Sequence, residues 1–261
     1  MTAAAPVRVP VLMYHEIAEP EETAGRLAVS PAIFAAQLGY LRGAGFTALT
    51  AGELTARLAG DTGPLPDRPV VLTFDDGYAD FHSRAMPLLA EHGFTATLFA
   101  TTGWEQDPDL RQSAPGRMLN RTQLTEAAAA GIEVAAHSRS HPQLDQLPEP
   151  LAREELCASK RWLEDELGLA VPGLAYPFGY SSRLVRQLAR EAGYRYAYAV
   201  ENAAAGADAD LFRVPRLTIR RATTMAAFRR LADGQATLRL REDRALTRGW
   251  SVVRRIKAAC W

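Results

Sequence analysis

The chain has 261 residues, 48% hydrophobic and 23% charged, and its 30 basic and 30 acidic side chains cancel to zero net charge. This is the composition of an ordinary globular protein with a large core, and nothing in the charge balance points to nucleic acid as a partner. Cys157 and Cys260 are too few for a disulfide framework and lie in no metal-ligand spacing. No apolar run approaches the roughly 20 residues that span a bilayer. Residues 1–10 lack a charged leader followed by an apolar run, so the chain as written reads as cytoplasmic.

In chain order, an apolar strand is predicted over residues 7–14, ending at His15. Ser30-Pro31 has the form of an N-cap followed by proline at the first helical position, and it opens a helix over 32–42 that stops at Gly43 or Gly45. Apolar runs at 46–49, 70–74, 96–100, 132–136, 173–176, 195–200 and 214–219 then alternate with helical patterns at 52–58, 80–92, 122–130, 151–167, 182–192 and 225–232. Gly93, Gly131, Gly168 and Gly193 sit where helices would stop. Two stretches, 103–120 and the Ala/Gly/Asp-rich 201–210, read as irregular loops.

Strand–helix repetition predicts a parallel sheet, and this many units predicts closure. The expected fold is α/β, a distorted (β/α) barrel of about seven strands forming one domain over residues 1–240. A basic segment, 241–261, follows. Within it Leu246, Trp250 and Val253 recur at helical spacing among Arg244, Arg248, Arg254, Arg255 and Lys257. Such a helix can cap the barrel or make a weak contact with an anionic membrane surface.

The strongest chemical signal is Thr73-Phe74-Asp75-Asp76-Gly77, directly after an apolar strand. Adjacent carboxylates repel and raise one pKa, a conflict that a metal resolves by binding one and leaving the other free as a base. A plain Asp-Asp-Gly turn is the bland alternative. The second signal, again at a strand end, is His137-Ser138-Arg139-Ser140-His141-Pro142. Two imidazoles four residues apart can share one metal. Together Asp76, His137 and His141 make a two-histidine, one-carboxylate set with open positions, suited to Zn²⁺ and also to Co²⁺, Ni²⁺ or Fe²⁺.

These motifs resemble the polysaccharide deacetylase (NodB-homology) family, whose core signature is T-F-D-D-G followed by H-S-x-x-H; the likeness spans roughly residues 69–216. The resemblance implies that Asp75 is the catalytic base and that Asp76, His137 and His141 are metal ligands. It also implies that the backbone N–H of Phe178, in Tyr176-Pro177-Phe178, helps to form an oxyanion hole. The family's motif arginine is replaced by Ala175, so the group that orients Asp75 must come from elsewhere, with Arg213 and Arg216 as candidates. No histidine follows His141. His15 at the end of the first strand is similar to the arrangement in the circularly permuted, poly-N-acetylglucosamine deacetylase-like branch, which makes it the candidate general acid.

His15, the pair Asp75-Asp76, His137 and the pair Pro177-Phe178 each fall just beyond a different predicted strand, and in a barrel such positions converge on one face. The expectation is a hydrolase releasing acetate from an N-acetylated amino sugar in a glycan, glycolipid or glycosylated small molecule. An N-formyl substrate and a non-catalytic carbohydrate-binding relic of the same fold are the alternatives. Trp104 is a candidate for stacking on a sugar ring.

Overall fold

The computed structural model describes residues 8–235. Ten strands and nine α-helices alternate almost throughout. In order they are β1 (Arg8–Val9), β2 (Val11–Tyr14), α1 (Pro31–Gly43), β3 (Thr47–Leu49), α2 (Ala51–Ala59), β4 (Pro69–Phe74), α3 (Met86–His92), β5 (Thr97–Ala100), α4 (Gly103–Gln106) and α5 (Pro108–Arg111). There follow α6 (Arg121–Ala129), β6 (Glu133–Ala136), α7 (Glu149–Leu167), β7 (Gly173–Ala175), α8 (Arg183–Glu191), β8 (Tyr196–Val200), β9 (Ala205–Gly206), β10 (Val214–Thr218) and α9 (Met225–Ala232). Ser30 caps α1 by accepting from the Ile33 N–H, with Pro31 at the first helical position. Thr50 and Glu53 form a reciprocal capping box at the start of α2, as Asn120 and Gln123 do for α6.

Seven strands form the ring in the order β2, β4, β5, β6, β7, β8, β10, every neighbouring pair parallel. Closure comes from β2, which pairs with β4 on one side and β10 on the other. The short β3 pairs only with the first half of β4 and stays outside the ring. The expected seven-stranded barrel is what the chain forms. The loops read as irregular hold small elements: α4 and α5 lie within 103–120, and β9 lies within 201–210 and pairs with β1. The segment 241–261, and with it the basic helix expected at 245–259, lies outside the described residues. Among the described residues no helix is long and apolar enough to cross a membrane.

Two apolar layers hold the barrel. The larger packs the outer strand faces against the helices, through residues such as Leu72, Phe74, Leu98, Leu156 and Phe228. The smaller fills the interior with Val11, Val71, Phe99, Ala135, Ala175, Tyr198 and Val214, one inward side chain from each ring strand. The N-terminal end of the barrel is stoppered by α2. There the Glu133 carboxylate accepts from the Gly52 N–H at 3.0 Å, from the Thr97 hydroxyl at 2.7 Å and from the Tyr196 hydroxyl. Tyr198 donates to the Ala51 carbonyl at 2.9 Å. With its floor plugged in this way, the barrel offers its polar chemistry at the opposite mouth, where the strands end.

Small residues make room for the interior tyrosines. A Cβ on Gly173 would meet the ring and hydroxyl of Tyr196 well inside van der Waals contact. Gly173→Ala is therefore expected to destabilise the fold by about 1–3 kcal/mol, the usual cost of overpacking a core. Urea unfolding checks this; an unchanged midpoint would show that Tyr196 moves aside freely.

Candidate metal centre

Strand β4 ends at Phe74, and the chain then delivers two carboxylates that both approach His137 Nε2, Asp75 Oδ2 at 3.9 Å and Asp76 Oδ1 at 3.5 Å. The Asp75 N–H continues the ladder to the Tyr14 carbonyl at 3.0 Å, and its side chain points into the mouth of the barrel. There Arg216, fully buried on β10, donates through both terminal nitrogens, Nη1 to Oδ1 at 2.6 Å and Nη2 to Oδ2 at 2.8 Å. Its guanidinium also lies 5.4 Å from the centre of the Phe99 ring. Asp76 takes a left-handed backbone, φ 74°, which turns its carboxylate away from its neighbour's partner.

At the end of β6 the His137 N–H donates to the Ala100 carbonyl at 2.9 Å, and its ring Nδ1 lies 2.8 Å from the Ala175 carbonyl. A carbonyl can only accept, so Nδ1 carries the hydrogen and Nε2 presents its lone pair. Nε2 of His137 is 3.5 Å from Asp76 Oδ1, and Nε2 of His141 is 3.3 Å from the same oxygen. The segment between the two histidines is a tight turn, with Ser138 and His141 both left-handed at φ 66° and 60°. One ligand atom from each of Asp76, His137 and His141 lies within 4.8 Å of the others.

The electrostatics separate the two carboxylates. Burial pushes Asp75 up, but the Arg216 guanidinium, with His137 and His15, outweighs it and holds the carboxyl at about 2. Burial, reinforced by the charge of Asp75, pushes Asp76 up to about 8. Its Oδ1 is buried without a hydrogen-bond partner. Burial lowers His137 to about 4, and burial together with His137 lowers His141 to about 3, so both rings are neutral. An orphaned carboxylate oxygen facing two neutral imidazole nitrogens is a donor set that fits a divalent cation.

Other residues singled out from the sequence fall around this centre. The His15 Nδ1 is buried without a partner, and burial, opposed by Asp75, lowers the ring to about 4. Phe178 is 49% exposed, with its ring 4.7 Å from that of His141 and its backbone left-handed at φ 58°. Pro177 is buried beside it. Three expectations need correction. Trp104 does not offer an open face to a sugar, because it is 5% exposed and stacks on the His141 ring at 5.5 Å. Tyr176 is fully buried and donates its hydroxyl to the Phe212 carbonyl at 3.0 Å, so it belongs to the core. Arg213 sits just before β10 and pairs with Glu201 at 2.5 Å, leaving Arg216 as the partner of Asp75.

Sequence reasoning passed over Glu155 on α7. Its Oε2 accepts from the Arg139 N–H at 2.9 Å and the Ser140 N–H at 2.8 Å, and its Oε1 accepts from the Ser140 hydroxyl at 2.5 Å. No spacing signal marks a glutamate that reaches back 16 residues to a turn. A cavity of about 470 Å³ is lined by Glu16, Tyr78, Asp80, Arg84, Arg117 and Gln123 among others, and none of the residues of the centre lines it.

The family model described as polysaccharide deacetylase matches residues 62–197. YxkH of Bacillus subtilis (strain 168), named for the same family, is 27% identical over 223 residues, 85% of this chain and 75% of that protein. The poly-β-1,6-N-acetyl-D-glucosamine N-deacetylase of Escherichia coli (strain K12) is 22% identical over 243 residues, and the match covers 80% of this chain but 36% of that longer protein. Among solved structures, the Streptococcus pyogenes deacetylase PplD in complex with acetate superposes with a TM-score of 0.77 at 28% identity, over 89% of this chain and all of that one.

Removing one partner of a buried ion pair strands the other charge, typically at a cost of about 3–5 kcal/mol. Arg216→Ala is expected to destabilise the protein on that scale, and Arg216→Lys less, because lysine restores the charge but not the two-pronged geometry. Arg213→Ala, on an exposed pair, should stay within about 0.5 kcal/mol. Urea titrations of the three variants check the ranking; equal effects of Arg216→Ala and Arg213→Ala would refute it.

Proposed function

The chain belongs to the polysaccharide deacetylase family, and on that premise we propose that it is a metal-dependent hydrolase that removes the N-acetyl group from an amino sugar and releases acetate. The observation that carries this reading is the opposite treatment of two adjacent carboxylates. Asp75 is held ionised by Arg216, while Asp76 is left unsatisfied and aimed at two neutral imidazoles. A carbohydrate-binding relic would have no use for a buried Asp75 kept ionised beside Asp76.

Asp76, His137 and His141 would hold the cation, with Zn²⁺ as the first candidate. When bound, the cation supplies Lewis acidity towards the acetamide carbonyl and the attacking water. Asp75 takes the proton from that water at a carboxylate oxygen, and the Arg216 fork fixes which way the oxygen faces. The Phe178 N–H donates to the oxygen that gains charge as the carbonyl becomes tetrahedral. His15 gives the departing nitrogen its proton. The resting ring is neutral, so the proton it gives is the one that Asp75 has taken from the water and passed on to it. The exposed Phe178 ring lies beside the sugar. The name of the Escherichia coli relative supports poly-N-acetylglucosamine chemistry as the first substrate class to try.

Two results are expected of purified protein supplied with Zn²⁺ or Co²⁺ and N-acetylglucosamine oligomers. Mass spectrometry should find free amino groups and released acetate; formate released from an N-formyl analogue alone would replace deacetylation by deformylation. Dialysis against a chelator should abolish turnover, and added metal should restore it. Asp75→Asn and His15→Ala should each lower kcat by at least about 10²-fold, the scale of a general base or acid. Turnover close to wild type in either variant removes that residue from the scheme.

A further inference from the structure

We infer that Glu155 is a positioning residue for the metal centre, holding the turn between His137 and His141 in the shape that brings their two nitrogens onto one cation. The inference rests on the metal-dependent reading above and adds to it a residue that lies in none of the motifs.

The turn has reason to need a clamp. Ser138 and His141 both adopt left-handed backbone at φ 66° and 60°, a region that costs a side-chain-bearing residue about 1–3 kcal/mol. Inside the turn, the His141 N–H to Ser138 Oγ contact, 3.0 Å, and the tilted contact of the His137 and His141 rings at 4.9 Å help to hold it. The rest comes from two walls. On one side the turn docks on the segment after β5: the Thr102 N–H donates to the Ser138 carbonyl at 3.3 Å and the Gly103 N–H to the Arg139 carbonyl at 2.7 Å. The Arg139 side chain meets Asp107 at 2.9 Å, and the Trp104 ring stacks on His141. Gly103 is required here, because a Cβ would collide with the Arg139 carbonyl and with Leu110.

On the other side stands Glu155. Its carboxylate accepts the two successive N–H groups of Arg139 and Ser140 on one oxygen and the Ser140 hydroxyl on the other. Hydrogen bonds to an ionised acceptor are about twice as strong as neutral ones. Successive N–H groups following a left-handed residue form a concavity suited to an anion. Glu155 therefore fixes the Ser138–Arg139 and Arg139–Ser140 peptide planes, the two that lead into Ser140 and His141. It is anchored in the second turn of the 19-residue α7, the longest helix among the described residues, whose neighbours Ala152, Leu156 and Ser159 are buried. The link runs from a rigid helix, through one carboxylate, to the backbone between two metal ligands. Without it, His141 keeps its contacts with Trp104 and Phe178 but loses the restraint on its backbone, and the cation is left with His137 and Asp76.

Outer partners that orient metal ligands typically contribute 10–100-fold in metal affinity. The test is Co²⁺ titration of the full chain, following the visible absorption that reports ligand number and geometry, with far-UV circular dichroism as the check on folding. Glu155→Ala is expected to bind Co²⁺ about 10–100-fold more weakly than wild type, with an altered spectrum and unchanged circular dichroism. Glu155→Gln keeps an oxygen for the two N–H groups and should recover most of the affinity. Glu154→Ala, one residue away on the exposed face, should behave as wild type. If Glu155→Ala fails to fold, Glu155→Asp decides instead: one methylene too short to reach all three donors, it should weaken Co²⁺ about tenfold. Wild-type affinity and spectrum in the deciding variant overturn the role of Glu155. Absence of stoichiometric Co²⁺ binding by the wild-type chain overturns the metal-centre reading itself.

Discussion

The buried pair of Asp75 and Arg216 is the interaction around which the barrel mouth is organised. A carboxylate taken out of water costs several kcal/mol unless a counter-charge and hydrogen bonds replace its hydration. Arg216 supplies both at once with two nearly parallel bonds. The guanidinium in turn lies over the flat face of Phe99 in the barrel interior. Ala175 on β7 brings no charge to this mouth, and the positive charge arrives from β10. With Asp75 neutralised by Arg216, nothing comparable is left for Asp76, and its raised pKa and orphaned oxygen follow. One ion pair thus separates two adjacent carboxylates: one kept ionised by arginine and one with an oxygen left unpartnered.

The mouth is also where the backbone is least relaxed. Five non-glycine residues are left-handed in the described chain, and four of them, Asp76, Ser138, His141 and Phe178, belong to the candidate centre. Each reorients a group at a strand end by a tight reversal that a regular strand or helix cannot make. Asp76 turns over relative to Asp75, His141 returns towards His137, and Phe178 swings its ring across His141. Strain of this kind persists only where surroundings over-determine it. Here those surroundings are Glu155 and the β5–α4 segment around the histidine turn. Behind Phe178, Val200 stands so close to Gly179 that no Cβ fits.

Much of this architecture was legible in the sequence because strand ends are easy to find even when strand faces are not. Apolar runs closed by glycine-stopped helices located every ring strand, and a barrel gathers whatever follows those strands at one mouth. What the pattern could not supply was the direction of a side chain within a strand. In β10 Val214, Pro215, Arg216 and Leu217 are all buried, as expected of a parallel strand covered on both faces, so no alternation distinguishes inward from outward. Arg213 and Arg216 therefore looked equivalent, although one is at the rim beside Glu201 and the other is the core partner of Asp75. Trp104 was misread for a related reason. It sits in a four-residue helix, too short to show a period, and only the tertiary fold reveals that its ring backs a histidine. Glu155 lay in a helix whose amphipathic pattern was plain, yet nothing in that pattern says which of its charged residues meets a turn.

The strand that closes the barrel is also the one that completes the site. β2 lies between β10 and β4, with Tyr14 level with Phe74 in the ladder, so the next residues, His15 and Asp75, emerge side by side. The Asp75 N–H bond to the Tyr14 carbonyl extends the same register one step beyond the strands. On the other flank β10 aligns Thr218 with Met13, which sets Arg216 lower in the ring with its long side chain reaching up towards Asp75. Because parallel register fixes these levels together, a slip of one residue in β2 would send His15 to the outer face of the barrel. The same slip would break the seam between first and last strands. Selection for a closed ring and selection for a histidine beside Asp75 therefore act on one set of hydrogen bonds, which is a physical reason for the N-terminal strand to carry a residue of the centre.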